Sequence, residues 1–164
     1  MKSFKKVNAL VNFTEQEFSD GFYFAWENEL GQQFADLIDV IQEEDWLYFE
    51  SIITTIPSKS LSDIGYFLFL EPIFHKLDYL DAKRILCLCF IHCNDEDSYD
   101  LSNDVSVELG TYVDLELSFL EKVLQRFLEL LDYTTSMKPN RDISNLERNI
   151  SFLNEKIKNT RINH

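Results

Sequence analysis

The stretch Ile85-Leu-Cys-Leu-Cys-Phe-Ile-His-Cys-Asn-Asp-Glu-Asp-Ser-Tyr-Asp100 holds all three cysteines of the chain, one of its three histidines and four acids. Thiolates and imidazoles are zinc ligands and carboxylates bind harder cations, so metal chemistry would be sought here first. On a helix turning about 100° per residue, Cys89, His92 and Cys93 fall on one side while Cys87 points away. Those three could bind a metal if His75 or an acid closed the shell. Structural zinc sites, however, usually draw on two separated ligand pairs, and this chain has one cluster. Among Ile85, Leu86, Leu88, Phe90 and Ile91, the cysteines Cys87 and Cys89 read instead as small buried hydrophobes. His92 and Cys93 then occupy the last turn, where a histidine suits the negative end of the helix dipole. Neither a metal nor a cofactor is expected.

The acids after the cysteines start like a calcium loop, with Asp95 and Asp97 at its first and third positions. Asp100 stands where the turn glycine is needed and Ser106 where the bidentate glutamate belongs, so a solvated acidic loop is expected over Asn94–Asn103. Nucleotide-binding loops need clustered glycines, and the four here are isolated at 21, 31, 65 and 110. No His-Glu-x-x-His and no nucleophile elbow occurs. Glu71 and His75 are four residues apart, but Pro72 lies between them, and a surface ion pair is the simpler reading. The chain reads as a non-enzymatic protein.

Charge is the stronger signal. The net charge of −14 is uneven: residues 1–12 carry Lys2, Lys5 and Lys6 without an acid, and residues 138–164 carry six basic and three acidic side chains. The intervening 13–137 holds 26 acidic and six basic residues. Such a field opposes nucleic acid, whose affinity comes from Lys and Arg displacing counterions, and attracts a basic protein. The candidate partner-binding residues are Glu43, Glu44, Asp45, Asp95, Glu96, Asp97, Asp100, Asp104, Glu108, Asp114 and Glu116. Tyr99 and Tyr112, with Tyr48, are aromatic anchors among them.

Helices must carry these residues. Only four glycines and three prolines, with 45% hydrophobic content, favour helices joined by short connections. Thr14-Glu-Gln-Glu17 fits a capping box opening a helix through Phe18, Phe22, Trp26 and Leu30, with Gly31 near its end. A strand over Phe22–Trp26 is the competing reading. Phe34, Leu37, Ile38 and Ile41 mark a second helix closing at Glu43-Glu-Asp45, and Trp46, Phe49, Ile52, Ile53 and Ile56 a third stopping before Pro57. After a turn at Ser58–Ser60, Ser60-Leu-Ser-Asp63 opens a helix that Pro72 should kink or end. Asp78 or Asp81 can cap the cysteine helix. A long helix is expected from about 112 to 134. Beyond the break at Met137-Lys-Pro-Asn140, the stripe Ile143, Leu146, Ile150, Leu153 and Ile157 marks a narrowly amphipathic helix suited to homodimerisation. The fold expected is all-α: one domain over 1–164, an antiparallel stack of about seven or eight helices, with a HEAT-like arrangement as one form of it. A basic segment over 1–12, an acidic core over 13–137 and a C-terminal helix over 140–164 divide it.

The N-terminus makes a poor signal peptide and no apolar run approaches the roughly 20 residues of a membrane span, so a cytoplasmic protein with reduced thiols is expected. In this general character the chain resembles bacterial toxin-immunity proteins of the contact-dependent growth inhibition and colicin kinds: a small single domain, no catalytic motif, no export signal and the clustered acids just named. The resemblance implies a cytoplasmic inhibitor that binds and neutralises a basic toxin nuclease. The alternatives are a helical scaffold or regulatory adaptor and, behind it, a metal-dependent enzyme using Cys89, His92 and Cys93.

Overall fold

In the computed structural model the described residues are 2–17, 29–69, 79–111 and 115–162. They form eight α-helices and a short 3-10 turn, and no strand occurs among them. The fold is all-α, as the scarcity of glycine and proline implies.

Helix α1 spans Lys2–Glu17. Val7, Leu10, Val11 and Thr14 recur at helical spacing, and Val7, Leu10 and Thr14 are buried. That stripe overrides the capping signal at Thr14, which lies in the last turn and donates its hydroxyl to the Val11 carbonyl at 2.8 Å. The basic N-terminal segment is therefore a helix that already contains Thr14, so no helix starts there; the stripe Phe18, Phe22 and Trp26 of the expected helix lies outside the described residues. The helix-or-strand question over Phe22–Trp26 lies outside the described residues, as do Asp78, Pro72, Glu71 and His75.

Helix α2 spans Glu29–Asp39 and α3 spans Glu43–Ile52. Gly31 lies inside α2 rather than at the end of an earlier helix. Glu43-Glu-Asp45 opens α3 instead of closing α2, because the Gln42 N–H donates to Asp45 Oδ2 at 2.9 Å and acids suit the positive end of a helix. After α3, the 3-10 turn Ile53–Thr55 ends the segment before Pro57, as expected. Helix α4 spans Ser58–Phe69, so Ser58–Ser60 is its first turn. Ser60 is buried inside it, and Asp63 pairs with Lys59 one turn back at 2.5 Å.

Helix α5, Tyr79–His92, carries the cysteines, and Asp81 falls within its first turn. Helix α6 spans Asp95–Thr111, where a loop was expected. Asn94 caps it, its Oδ1 accepting the Asp97 N–H at 2.9 Å. Ser98, Leu101, Ser102 and Val105 form its buried stripe, and two serines among the four concealed the period. Helix α7 spans Leu117–Met137 and α8 spans Ser144–Ile162, joined across the expected break.

A hydrophobic core runs from Val7 and Leu10 in α1 to Leu153 and Ile157 in α8. Phe34 of α2 stacks on Phe67 of α4 at 4.6 Å, and Phe90 of α5 meets Phe127 of α7 at 4.6 Å. Helices α4 and α5 run antiparallel: the Cys93 thiol donates to the Ser58 carbonyl at 3.4 Å, while Gly65 faces Cys89 further along. A Cβ at Gly65 would lie 3.2 Å from both the Cys89 Cβ and Leu101 Cδ1, so glycine sets how closely α4, α5 and α6 meet. Helices α6 and α8 run parallel, since Tyr99 reaches Asp142, Asn103 reaches Asn145 and Ser106 reaches Arg148. Of the C-terminal stripe, Leu146, Leu153 and Ile157 are buried and Ile150 packs on the same core. Those side chains are occupied within the chain, so Ile143–Ile157 is not the open face that dimerisation through it requires.

Candidate functional site

Two triads of acids open two helices: Glu43-Glu44-Asp45 on α3 and Asp95-Glu96-Asp97 on α6. Both follow a capping residue, and both place carboxylates where a helix N-terminus is partially positive. Their surroundings differ.

At α6 each acid is engaged. Asp95 pairs with Arg126 at 3.0 Å. The Arg126 side chain is only 11% exposed, and it also donates to the Cys93 carbonyl and the Ser98 hydroxyl, both at 2.8 Å. One guanidinium from α7 thus closes the C-terminus of α5 and the N-terminus of α6. Glu96 accepts from the Tyr133 hydroxyl at 2.7 Å and pairs with Lys138 at 3.2 Å and Arg141 at 2.7 Å. The Tyr133 hydrogen bond and then Lys138 hold its carboxyl below the ordinary range, and the same bond raises the Tyr133 phenol. Asp97 accepts from the Ser58 hydroxyl, which in turn accepts the Asn94 N–H at 2.8 Å. Tyr99 donates to the Asp142 carbonyl at 2.8 Å while the Arg141 guanidinium lies 4.4 Å over its ring. Tyr99 is therefore half-buried in the fold and serves as a structural joint.

Further along α6, Asp100 is exposed and its carboxyl is raised, first by desolvation. Asp104 is half-buried, and desolvation raises it from 3.8 to about 6. Glu108 lies in α6, Tyr112 and Asp114 lie outside the described residues, and Glu116 is exposed just before α7.

At α3 the third acid alone is engaged. Asp45 is fully buried and takes the Lys6 ammonium of α1 at 2.8 Å beside the Gln42 N–H. Glu43 and Glu44 are exposed, and no cation pairs with either among the described residues. Tyr48, half-buried on the next turn, has its ring 5.6 Å from that of Phe4.

The cysteines sit in the core. All three are buried free thiols, and burial raises Cys89 well above its ordinary value and Cys93 to about 12. Such thiols stay protonated and poorly nucleophilic. His92 is exposed at the end of α5, and its pKa is lowered, first by desolvation and then by Lys122 and Arg126. Desolvation and these two cations thus work against the protonated imidazole that the helix C-terminus was expected to favour. Among the described residues no group of three or more His, Cys, Asp or Glu side chains is placed to hold a metal ion. Nor is any helix among them long and apolar enough to cross a membrane.

The structure thus brings Asp95, Glu96, Asp97 and Tyr99 into one polar network and sets Glu43 and Glu44 on another helix, facing solvent. Arg126 is the organising residue of this network, and it is a base rather than one of the clustered acids. Its signal was a lone arginine between Leu124 and Phe127 on an apolar helix, where a cation needs a buried acceptor. Comparison with protein families, with curated proteins and with solved structures finds no match to this chain.

Proposed function

We propose that the protein is a non-catalytic acidic binding protein that captures a basic protein partner. On this reading it acts as an inhibitor of the immunity type, neutralising a basic toxin such as a nuclease. The supporting observation is the surplus of acid that folding leaves outside. Residues 13–137 hold 26 acids against six bases, and part of the basic charge at the two ends is paired with acids of the chain. Lys6 is tied to Asp45, Lys138 and Arg141 to Glu96, and Arg161 to Glu121. Glu43, Glu44, Asp100 and Glu116 remain exposed. A surface of one sign steers an oppositely charged partner into contact, and its pull fades as salt shortens the Debye length.

The test is an affinity pull-down with the tagged full chain from its own organism's lysate, at low and at high salt. The expected result is one basic partner in near-equal amounts that high salt weakens, and that this protein blocks in the partner's own activity or growth assay. Recovery of acidic or metabolic proteins alone, or of nothing, contradicts the reading.

A further inference from the structure

We infer that the outer face of α3 is the docking surface, and that its occupant is a basic segment of a partner protein carrying an apolar anchor; this deepens the binding reading above and rests on it. Three of the seven large hydrophobic side chains exposed among the described residues lie on or beside this helix. Leu47 is 60% exposed, Val40 53% and Phe4 51%. Leu47 lies one turn from Glu43 and Glu44, Val40 stands in the α2–α3 turn three residues before Glu43, and Phe4 packs on Tyr48 at 5.6 Å. Exposed apolar groups bordered by charge are the usual composition of a protein-binding patch.

Charge selects the partner. Asp36 of α2 and Glu43 and Glu44 of α3 are exposed. Against them, the described side chains of α1 set exposed Lys5, because Lys6 is held by Asp45. The other exposed large hydrophobics, Leu128, Met137, Phe152 and Ile162, lie on α7 and α8, where the Lys156 ammonium sits 5.8 Å from the Phe152 ring. Exposed apolar surface therefore coincides with unopposed acid at α3.

A recess beside Leu47 supplies a separate observation. Glu43, Trp46, Leu47, Glu50, Arg84 and Ile85 line an opening of about 260 Å³. The Trp46 side chain is nearly enclosed, with 6% exposure, yet its indole N–H has no acceptor. A buried indole N–H ordinarily finds one, and a docked chain would offer a backbone carbonyl. Arg84 and Glu50 are satisfied by their own bidentate pair, so Trp46 is the donor of the recess left over. Lys or Arg side chains would face Glu43 and Glu44, an apolar side chain would cover Leu47 and Tyr48, and the backbone would meet Trp46.

The experiment titrates isotope-labelled full-length protein with two synthetic probes, an amphipathic lysine–leucine peptide and a polylysine of equal charge, following backbone amides and the Trp46 indole N–H by NMR. The account expects shifts over Glu43–Tyr48 and at the indole, with the amphipathic probe at least about tenfold tighter. Leu47→Ala combined with Glu43→Gln and Glu44→Gln should weaken binding by about tenfold without moving the unfolding midpoint much, since all three side chains are exposed. Shifts confined to other acids, such as Asp100 or Glu116, overturn the docking face while leaving the binding reading standing. Equal affinity for the two probes overturns the apolar anchor. Binding of neither probe at low salt overturns both readings.

Discussion

Glu43-Glu44-Asp45 and Asp95-Glu96-Asp97 are nearly the same tripeptide in the same place, the first turn of a helix, and the fold uses them in opposite ways. At α6, Arg126, Lys138, Arg141, Tyr133 and Ser58 converge until each carboxylate has a partner. At α3, Lys6 reaches Asp45 and the other two acids face water. Three consecutive acids on a helix point in three directions about 100° apart, so whether they are structural depends on which directions face another helix. At α6 the neighbours on those sides include the basic end of the chain, brought there by the α7–α8 hairpin. The density of charge in a sequence is therefore a poor guide to the density of free charge on the surface.

Removing Arg126 should break that contrast most severely. Arg126→Ala leaves Asp95, the Cys93 carbonyl and the Ser98 hydroxyl without their shared donor, and the loss should be about 3 kcal/mol in urea unfolding. Asp45→Ala comes next, at about 2 kcal/mol by the same measurement, because it removes a buried cap and the partner of Lys6. A loss at Asp45 as small as at its neighbours Glu43 and Glu44 would show that the α3 triad is uniform, contrary to the structure.

Acid titration distinguishes the two ends of α6. Asp104 is raised to about 6 by burial, so its folded form holds the proton more tightly than the unfolded chain. Stability should therefore fall as pH rises from 3.8 to about 6, and Asp104→Asn should recover about 1 kcal/mol at neutral pH, discounted for partial exposure. Glu96 has the opposite sign: its folded value is lowered, so its contribution is present above 4.5 and is lost as pH falls through the depressed value. The unfolding midpoint of the wild type should rise from neutral pH toward the acid range and then drop. The Asn variant should show a smaller rise, since Asp63 and Asp100 are raised as well, and keep the drop.

The smallest effect on stability belongs to the free pair. Glu43→Gln and Glu44→Gln each remove a favourable charge from a helix N-terminus and should cost under about 0.5 kcal/mol in the same unfolding experiment. Any larger cost would mean that these acids, too, are engaged in the fold.

The all-α class was legible because it rests on properties summed over the chain: few glycines and prolines, and apolar residues at helical spacing. The third helix stopping before Pro57 and the long helix, expected from about 112 to 134 and found over Leu117–Met137, were legible for the same reason, each carrying an apolar stripe. Helix α6 was hidden because two of its buried positions are Ser98 and Ser102, whose hydroxyls are satisfied by backbone carbonyls that a sequence does not display. Helix α1 was hidden by Thr14, whose hydroxyl serves a carbonyl within the helix as readily as it caps a new one. The acids of the candidate site were all visible as residues, but their pairing with Arg126, Lys138 and Arg141 spans 31 to 45 positions and needed the fold. The exposure of Leu47 also has a sequence signal. The residue falls outside the stripe Trp46, Phe49 and Ile53, and a leucine off the buried face of an amphipathic helix stands in solvent.

The most direct test of the central claim, that free acid on this protein captures a basic partner and that α3 supplies it, is the association rate of the partner recovered by pull-down, measured by stopped flow across a range of salt. The wild type should associate fast at low salt and slow steeply as salt rises, while the protein carrying Glu43→Gln and Glu44→Gln should start slower with a shallower slope. A wild-type rate indifferent to salt would contradict capture by charge, and identical salt curves for the two proteins would contradict the role of α3.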